Sequence, residues 1–255
     1  MDIVQAAGNN QMPPNCIYES RAIQQVKEIV VCGNVNVIFK PSGEMRMVIA
    51  GEFTEGIKSV KTNIQNNRLT IERANSSLST GNFSFHHTST FSTSSSGTGH
   101  NVMSSQSIYV SGSGASTFSV NVNGRPVGPE DSDGRIVVGI ALPYAPVIDN
   151  QGQGKIILQE LQQDCLDVKV VNVGQVEAMG QVKDLEVLAS GQGRIDASKL
   201  VADRANFEVS GAARVDAEVR QHVRSHISGV AKVNIRGNPT LRNDVMSGLG
   251  RIRYT

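Results

Sequence analysis

The chain has no tryptophan, and only 4 tyrosines and 7 phenylalanines among its 255 residues. A core anchored on aromatic rings is excluded, as is a sugar platform of exposed aromatic faces. No 3.6-residue apolar period is sustained, so helix is scarce too. No apolar run approaches the ~20 residues of a membrane span. Residues Met1 to Gly8 lack a basic stretch followed by an apolar core and do not read as a signal peptide. If Met1 is the native start, the protein is expected in the cytoplasm. Neither sign of charge dominates, with 24 basic against 23 acidic residues, so there is no global pull toward nucleic acid or anionic membrane. The three cysteines, Cys16, Cys32 and Cys165, are odd in number and unrelated in spacing, which fits neither a disulfide framework nor a zinc pattern. No phosphate-binding loop or nucleophile elbow occurs, and no cofactor is expected.

What is present is glycine, 25 in all, and a phrase that keeps returning. It reads Ala189-Ser190-Gly191-Gln192-Gly193-Arg194-Ile195, then Val209-Ser210-Gly211-Ala212-Ala213-Arg214-Val215. It returns as Ile227-Ser228-Gly229-Val230-Ala231-Lys232-Val233 and as Met246-Ser247-Gly248-Leu249-Gly250-Arg251-Ile252. Looser copies start at Asn150 and Val171. The first glycine position falls at 152, 172 (an asparagine), 191, 211, 229 and 248, in steps of 20, 19, 20, 18 and 19 residues. A fixed period of this length marks a solenoid.

Upstream, residues 1–22 read as a polar arm, interrupted by Pro13-Pro14. From Arg21 to Arg73, β-branched residues alternate with polar ones between glycine and asparagine turns, which predicts strands, with one short helix near Phe53 to Ser59. Residues 75–107 differ in kind, because 17 of the 33 are Ser or Thr. Such a stretch buries too little apolar surface to offset an ordering cost of ~1–2 kcal/mol per residue, and it is read as a disordered insertion. Order is expected to resume at Ile108-Tyr109-Val110-Ser111-Gly112, which echoes the repeat phrase, followed by a hairpin turn at Asn123-Gly124.

The period is too short for helix-pair repeats, so the rungs are strands. Ile156, Val176, Ile195, Val215, Val233 and Ile252 share one column, and period-two alternation turns it inward. Glycine recurs at the bend because a sharp corner wants positive φ or leaves no space for a side chain. The expected fold is all-β: a single-stranded parallel β-helix with rungs of ~19 residues, spanning residues 23–255.

These Ser-Gly-x-Gly/Ala-Arg/Lys-Ile/Val phrases resemble the auto-transporter adhesin head (GIN) domain family. The ending Gly237-Asn238-Pro239 … Met246-Ser247-Gly248-Leu249-Gly250-Arg251-Ile252 and the module from Gly33 to Ile71 carry the same likeness. The resemblance covers residues 23–72 and 106–255. It implies a right-handed coil and a bacterial protein, commonly exported or lipid-anchored, with no established activity. It also implies a place in the cell envelope or secretion. The chain departs from the family in its Ser/Thr-rich insertion.

Beside the inward column stand two outward ones. Lys155, Gln175, Arg194, Arg214, Lys232 and Arg251 form the first, and Ile157, Glu177, Asp196, Asp216, Asn234 and Arg253 the second. Lys155, Arg194, Arg214, Lys232 and Arg251 are a candidate binding stripe for an anionic or envelope polymer, and Arg220, Arg224, Arg236 and Arg242 would extend it. From Asp203 onward there are nine Arg or Lys against five Asp or Glu. Clustered carboxylates facing one cleft, which glycan hydrolysis needs, are not evident, because Asp196 and Asp216 are equivalent ladder positions and Asp164, Asp167 and Asp184 read as turn residues. No catalytic residue is assigned. His86, His87 and His100 lie in the insertion, and His222 and His226 are spaced by four but read as straddling a turn, so no metal site is assigned. The leading expectation is a non-enzymatic, adhesin-like rod of the cell envelope. A cytoplasmic β-helix scaffold that assembles through uncapped terminal rungs is the alternative, and a glycan-active enzyme is disfavoured.

Overall fold

The computed structural model describes residues 17–51, 53–73, 108–111, 119–122 and 136–255. The first half contains β1 (Ile17–Arg21), β2 (Glu28–Cys32), β3 (Asn36–Pro41), β4 (Arg46–Gly51), α1 (Thr54–Ser59), β5 (Val60–Gln65) and β6 (Arg68–Arg73). After these come β7 (Ile108–Ser111), β8 (Ser119–Val122), β9 (Ile136–Leu142) and β10 (Val147–Asn150). Four long strands follow, β11 (Lys155–Val170), β12 (Gln175–Ala189), β13 (Arg194–Val209) and β14 (Arg214–Gly229). The chain finishes with β15 (Lys232–Arg236), β16 (Leu241–Gly248) and β17 (Arg251–Tyr254).

The fold is a parallel β-helix. Each long strand is most of one coil, and its two halves belong to different faces. The first halves stack in parallel in the order β9, β3, β11, β12, β13, β14, β15, β17. The second halves stack as β6, β2, β10, β11, β12, β13, β14, β16. Register breaks such as Leu158/Leu161 and Glu177/Met179 mark the bend between the faces. The predicted inward column is in register, and Ile156, Val176, Ile195, Val215 and Val233 are all buried. Facing columns bring in Leu166 and Leu185, then Val168, Val187 and the fully buried Phe207. A slender interior built this way needs no large aromatic core, which is why so few rings suffice.

The corners follow the glycine argument in both of its forms. Asn172, Gly191, Gly211, Gly229 and Gly248 all have positive φ, and at Gly211 an added Cβ would lie 2.6 Å from the Gly191 carbonyl oxygen. That carbonyl accepts from the Ala212 amide at 2.8 Å, so the corners hydrogen-bond rung to rung. Gly152 lacks positive φ but leaves no space for a side chain, because an added Cβ would run into the Gly33 backbone carbonyl. There the buried Asn150 holds the turn, accepting from the Gly152 amide at 3.2 Å and donating to the Gly154 carbonyl at 3.0 Å.

The N-terminal end is not parallel throughout. β4 runs antiparallel on β9, β1 antiparallel on β4, and β5 antiparallel on β6. α1 joins β4 to β5, and its Ile57 packs into the apolar cluster, so strands and helix together close this end. Ile17–Arg21, read from sequence as part of the arm, is thus a strand. Backbone pairing to β4 makes it one without an apolar face, and Arg21 donates to the Val60 carbonyl at 2.8 Å.

β6 and β9 stand where β2 and β3 stand one rung later, and residues 74–135 separate them in the sequence. Within this stretch β7 pairs antiparallel with β8 in a separate two-stranded sheet. The repeat-like phrase at Ile108 is therefore not a rung of the coil. Residues 1–16, the Ser/Thr-rich stretch at 75–107 and the Asn123-Gly124 turn lie outside the described residues.

Candidate functional site

The two outward columns form as the repeat requires. Lys155, Gln175, Arg194, Arg214, Lys232 and Arg251 are successive register partners, and so are Ile157, Glu177, Asp196, Asp216, Asn234 and Arg253. Rungs stand ~4.8 Å apart, and residues i and i+2 on one strand are ~7 Å apart, so the columns make a flat charged grid.

Most of that grid is internally neutralised. Lys155 Nζ lies 2.7 Å from Glu177, and Arg194 lies 3.6 Å from Asp196 and 3.9 Å from Asp216. Arg214 clasps Asp216 with both guanidinium donors, at 2.9 and 3.2 Å, while Asn234 donates to the same carboxylate at 2.6 Å. Burial alone would raise the Asp216 carboxyl, but the hydrogen bonds from Arg214 and Asn234, helped by the charges of Arg214 and Arg194, hold it below the ordinary carboxylate range. The hydrogen bond to Asp216 in turn pushes the Arg214 guanidinium up.

The last two rungs break this arrangement. Asn234 and Arg253 occupy the acid column, and among the described residues Lys232 and Arg251 make no ion pair. Arg236 lies on the same outward side of β15 as Lys232 and is exposed. The other proposed extensions do not join the stripe. Arg224 is on the second-half face between the exposed His222 and His226, Arg220 is short of that face, and Arg242 occupies an inward column. Both histidines lie on the single strand β14, and no turn divides them. An extended strand still puts them ~13 Å apart. Among the described residues no group of His, Cys, Asp and Glu is placed to hold a metal.

Asp164, Asp167 and Asp184, read as turn residues, are in β11 and β12, because the bends are shorter than the sequence suggested. Asp184 takes a bidentate pair from Arg204 at 2.6 and 2.7 Å, and Asp164 pairs with Lys183 at 2.8 Å. Burial, and then the register partner Glu186, push the Asp167 carboxyl up. A shallow groove missed in the sequence lies beside it, lined by Tyr144, Pro146, Val147, Gln163 and the exposed thiol of Cys165. Gln163 clamps its wall by bonding both the amide and the carbonyl of Ala145. The signal for this wall was Pro143-Tyr144-Ala145-Pro146, two prolines around a corner.

Among the described residues the last rung has no strand on its outer edge, as expected, but a polar side-chain cap lies over its apolar columns. Its inward positions include Arg242, Asp244 and Tyr254, stacked on Val223, Ser225 and Ile235. The Tyr254 hydroxyl donates to Asp244 at 2.7 Å, and the Arg242 guanidinium lies 4.0 Å from the centroid of the Tyr254 ring. Polar side chains that bind one another therefore close the apolar columns.

The family described as "Putative auto-transporter adhesin, head GIN domain" matches residues 26–239. The chain belongs to this adhesin head family. The match stops at Pro239, so most of the last rung lies beyond it. No curated protein matches the chain. Among solved structures, a protein of Bacteroides fragilis NCTC 9343 described as a putative adhesin is similar with a TM-score of 0.58 at 14% identity, over 95% of this chain and 98% of that one. A "putative lipid binding protein" of Parabacteroides distasonis ATCC 8503 aligns at 14% identity and TM-score 0.49, over 95% and 97% of the two chains. A putative adhesin of Parabacteroides merdae ATCC 43184 aligns at 11% identity and TM-score 0.45, over 96% and 98%. At these identities the likeness is one of fold. Among the described residues no helix is long and apolar enough to cross a membrane.

Proposed function

We propose that the protein is a non-enzymatic, adhesin-like rod of the cell envelope that holds an anionic polymer against its flat outer face. Membership in an adhesin head family supports the adhesin-like part, and the fold is shared with a B. fragilis protein described as a putative adhesin. The observation that carries the binding part is the in-register basic column on an exposed, rigid face. The grid carboxylates Glu177, Asp196 and Asp216 are engaged in ion pairs, which supports a non-enzymatic reading over glycan cleavage.

The test is retention of the full chain on immobilised polygalacturonate and on isolated envelope polymers, with reducing-end release followed in the same samples. Retention that falls with salt and comes without polymer breakdown is expected. Failure to bind any anionic polymer would remove the binding part, and time-dependent release of sugar ends would replace it with an enzyme.

A further inference from the structure

The charged grid changes character along the coil. The rungs at 194 and 214 present Arg194 and Asp196, then Arg214, Asp216 and Glu218, and these cations are tied to neighbouring carboxylates. The next rung presents Lys232, Asn234 and Arg236, and the last Arg251 and Arg253. Four exposed cations thus share two adjacent strands, within a patch ~5 by 14 Å measured on the backbone. Among the described residues no carboxylate lies within ion-pair distance of these four cations. Asp216 is held by Arg214 and Asn234, Asp244 is held by Tyr254, and Glu218, the register partner of Arg236, makes no ion pair among the described residues.

We propose that Lys232, Arg236, Arg251 and Arg253 form a binding site for an acidic polysaccharide, a linear chain with a carboxylate on its successive sugars. This rests on the anionic-polymer reading above and narrows it from the whole stripe to the last two rungs. Three of the four groups are guanidinium forks, which take carboxylates in a bidentate manner that a lysine ammonium does not. The face is flat and repeats at the strand spacing, so it meets a regularly charged polymer better than a compact anion. Nucleic acid fits less well. Among the described residues no exposed ring on this face offers a base a stacking partner, and the aromatic of the last rung, Tyr254, points inward and is held by Asp244 and Arg242.

The experiment compares the full chain with two variants on polygalacturonate across a range of NaCl, with neutral dextran as the blank. One variant is Lys232→Gln/Arg236→Gln/Arg251→Gln/Arg253→Gln, and the other is Arg194→Gln/Arg214→Gln. Circular dichroism checks that each is folded, and Arg251→Gln/Arg253→Gln alone replaces the fourfold variant if that one does not fold. The fourfold variant should bind roughly tenfold or more weakly with a shallower salt dependence, and the Arg194/Arg214 variant should lose clearly less. Equal loss in both variants overturns the narrowing and leaves the anionic-polymer reading standing. No retention of the parent chain overturns both. Displacement by oligothymidylate at lower charge concentration than by polygalacturonate assigns the patch to nucleic acid instead. Unchanged binding by the fourfold variant shows that the cations only keep the end of the coil soluble, and overturns the proposal.

Discussion

The phenol of Tyr254 donates to the carboxylate of Asp244 across two neighbouring segments of the last rung, at 2.7 Å. Burial, the hydrogen bond and the negative charge of Asp244 together push the phenol above its ordinary value near 10. An acid whose folded-state value is raised favours folding below its unfolded-state value and loses that contribution as pH rises toward the folded one. Thermal stability should therefore fall as pH rises above ~10, and Tyr254→Phe should remove part of that slope at a cost of ~0.5–1.5 kcal/mol near neutrality. Melting curves of both proteins from pH 8 to 11 check this. Equal slopes would mean the pair contributes nothing to closing the coil.

The same cluster bears on association. β16 is an outer strand with Leu241, Val245 and Met246 exposed, the kind of edge on which another strand can pair. Arg242 and Asp244 put charge at two of its inward positions, and burying them against a second copy costs desolvation. The Arg242→Leu/Asp244→Leu variant is expected to dimerise at concentrations where the parent chain stays monomeric, as read by light scattering after size exclusion. A parent chain that dimerises equally would show that the cluster does not guard the end, and would favour assembly through the terminal rungs.

Within the charged grid, Asp216 is the acid that the sequence and structure single out together. Its folded-state value is depressed, so its contribution is present above the ordinary carboxylate value and is lost as pH falls through the depressed one. Asp216→Asn removes the charge that Arg214 pairs with and leaves one amide oxygen where Arg214 and Asn234 now share two, with an expected cost of ~1 kcal/mol at pH 7 that shrinks toward pH 3. Chemical denaturation at pH 7 and pH 3 measures the difference. A pH-independent cost would point to lost packing instead of lost charge.

Much of this site is legible in the amino-acid sequence alone. The period of the repeat, with alternation inside each copy, stacks Val176 under Ile195 and so fixes which charges share a column. Even the break in the acid column is visible there, as Asn234 and Arg253. The N-terminal closure is not, because alternation in β1, β4 and β5 carries no information on whether a neighbouring strand runs parallel or antiparallel. The cap is hidden for another reason. Arg242, Asp244 and Tyr254 are polar residues at inward positions, and polarity reads as surface until the register places them over Val223, Ser225 and Ile235. At Gly152 the phrase tells only half, since the glycine is there for want of space and not for positive φ, and the added hydrogen bonds of Asn150 are not visible in it.

The corner column gives the sharpest test of the repeat itself. Gly211 has φ of 76°, and an added Cβ would sit 2.6 Å from the Gly191 carbonyl oxygen, which the Ala212 amide needs. A side chain there meets both the left-handed backbone penalty and a displaced carbonyl, for an expected loss of ~1–3 kcal/mol in Gly211→Ala and more in Gly211→Val. Asparagine tolerates this backbone better, and Asn172 already stands at the equivalent corner with φ of 74°, its side-chain amide donating to the Gln151 carbonyl at 3.2 Å. The stability order from denaturant titration should be glycine, asparagine, alanine, valine. An alanine variant as stable as the parent would mean that the corner relaxes freely, and the recurring glycine would then need a reason other than the turn.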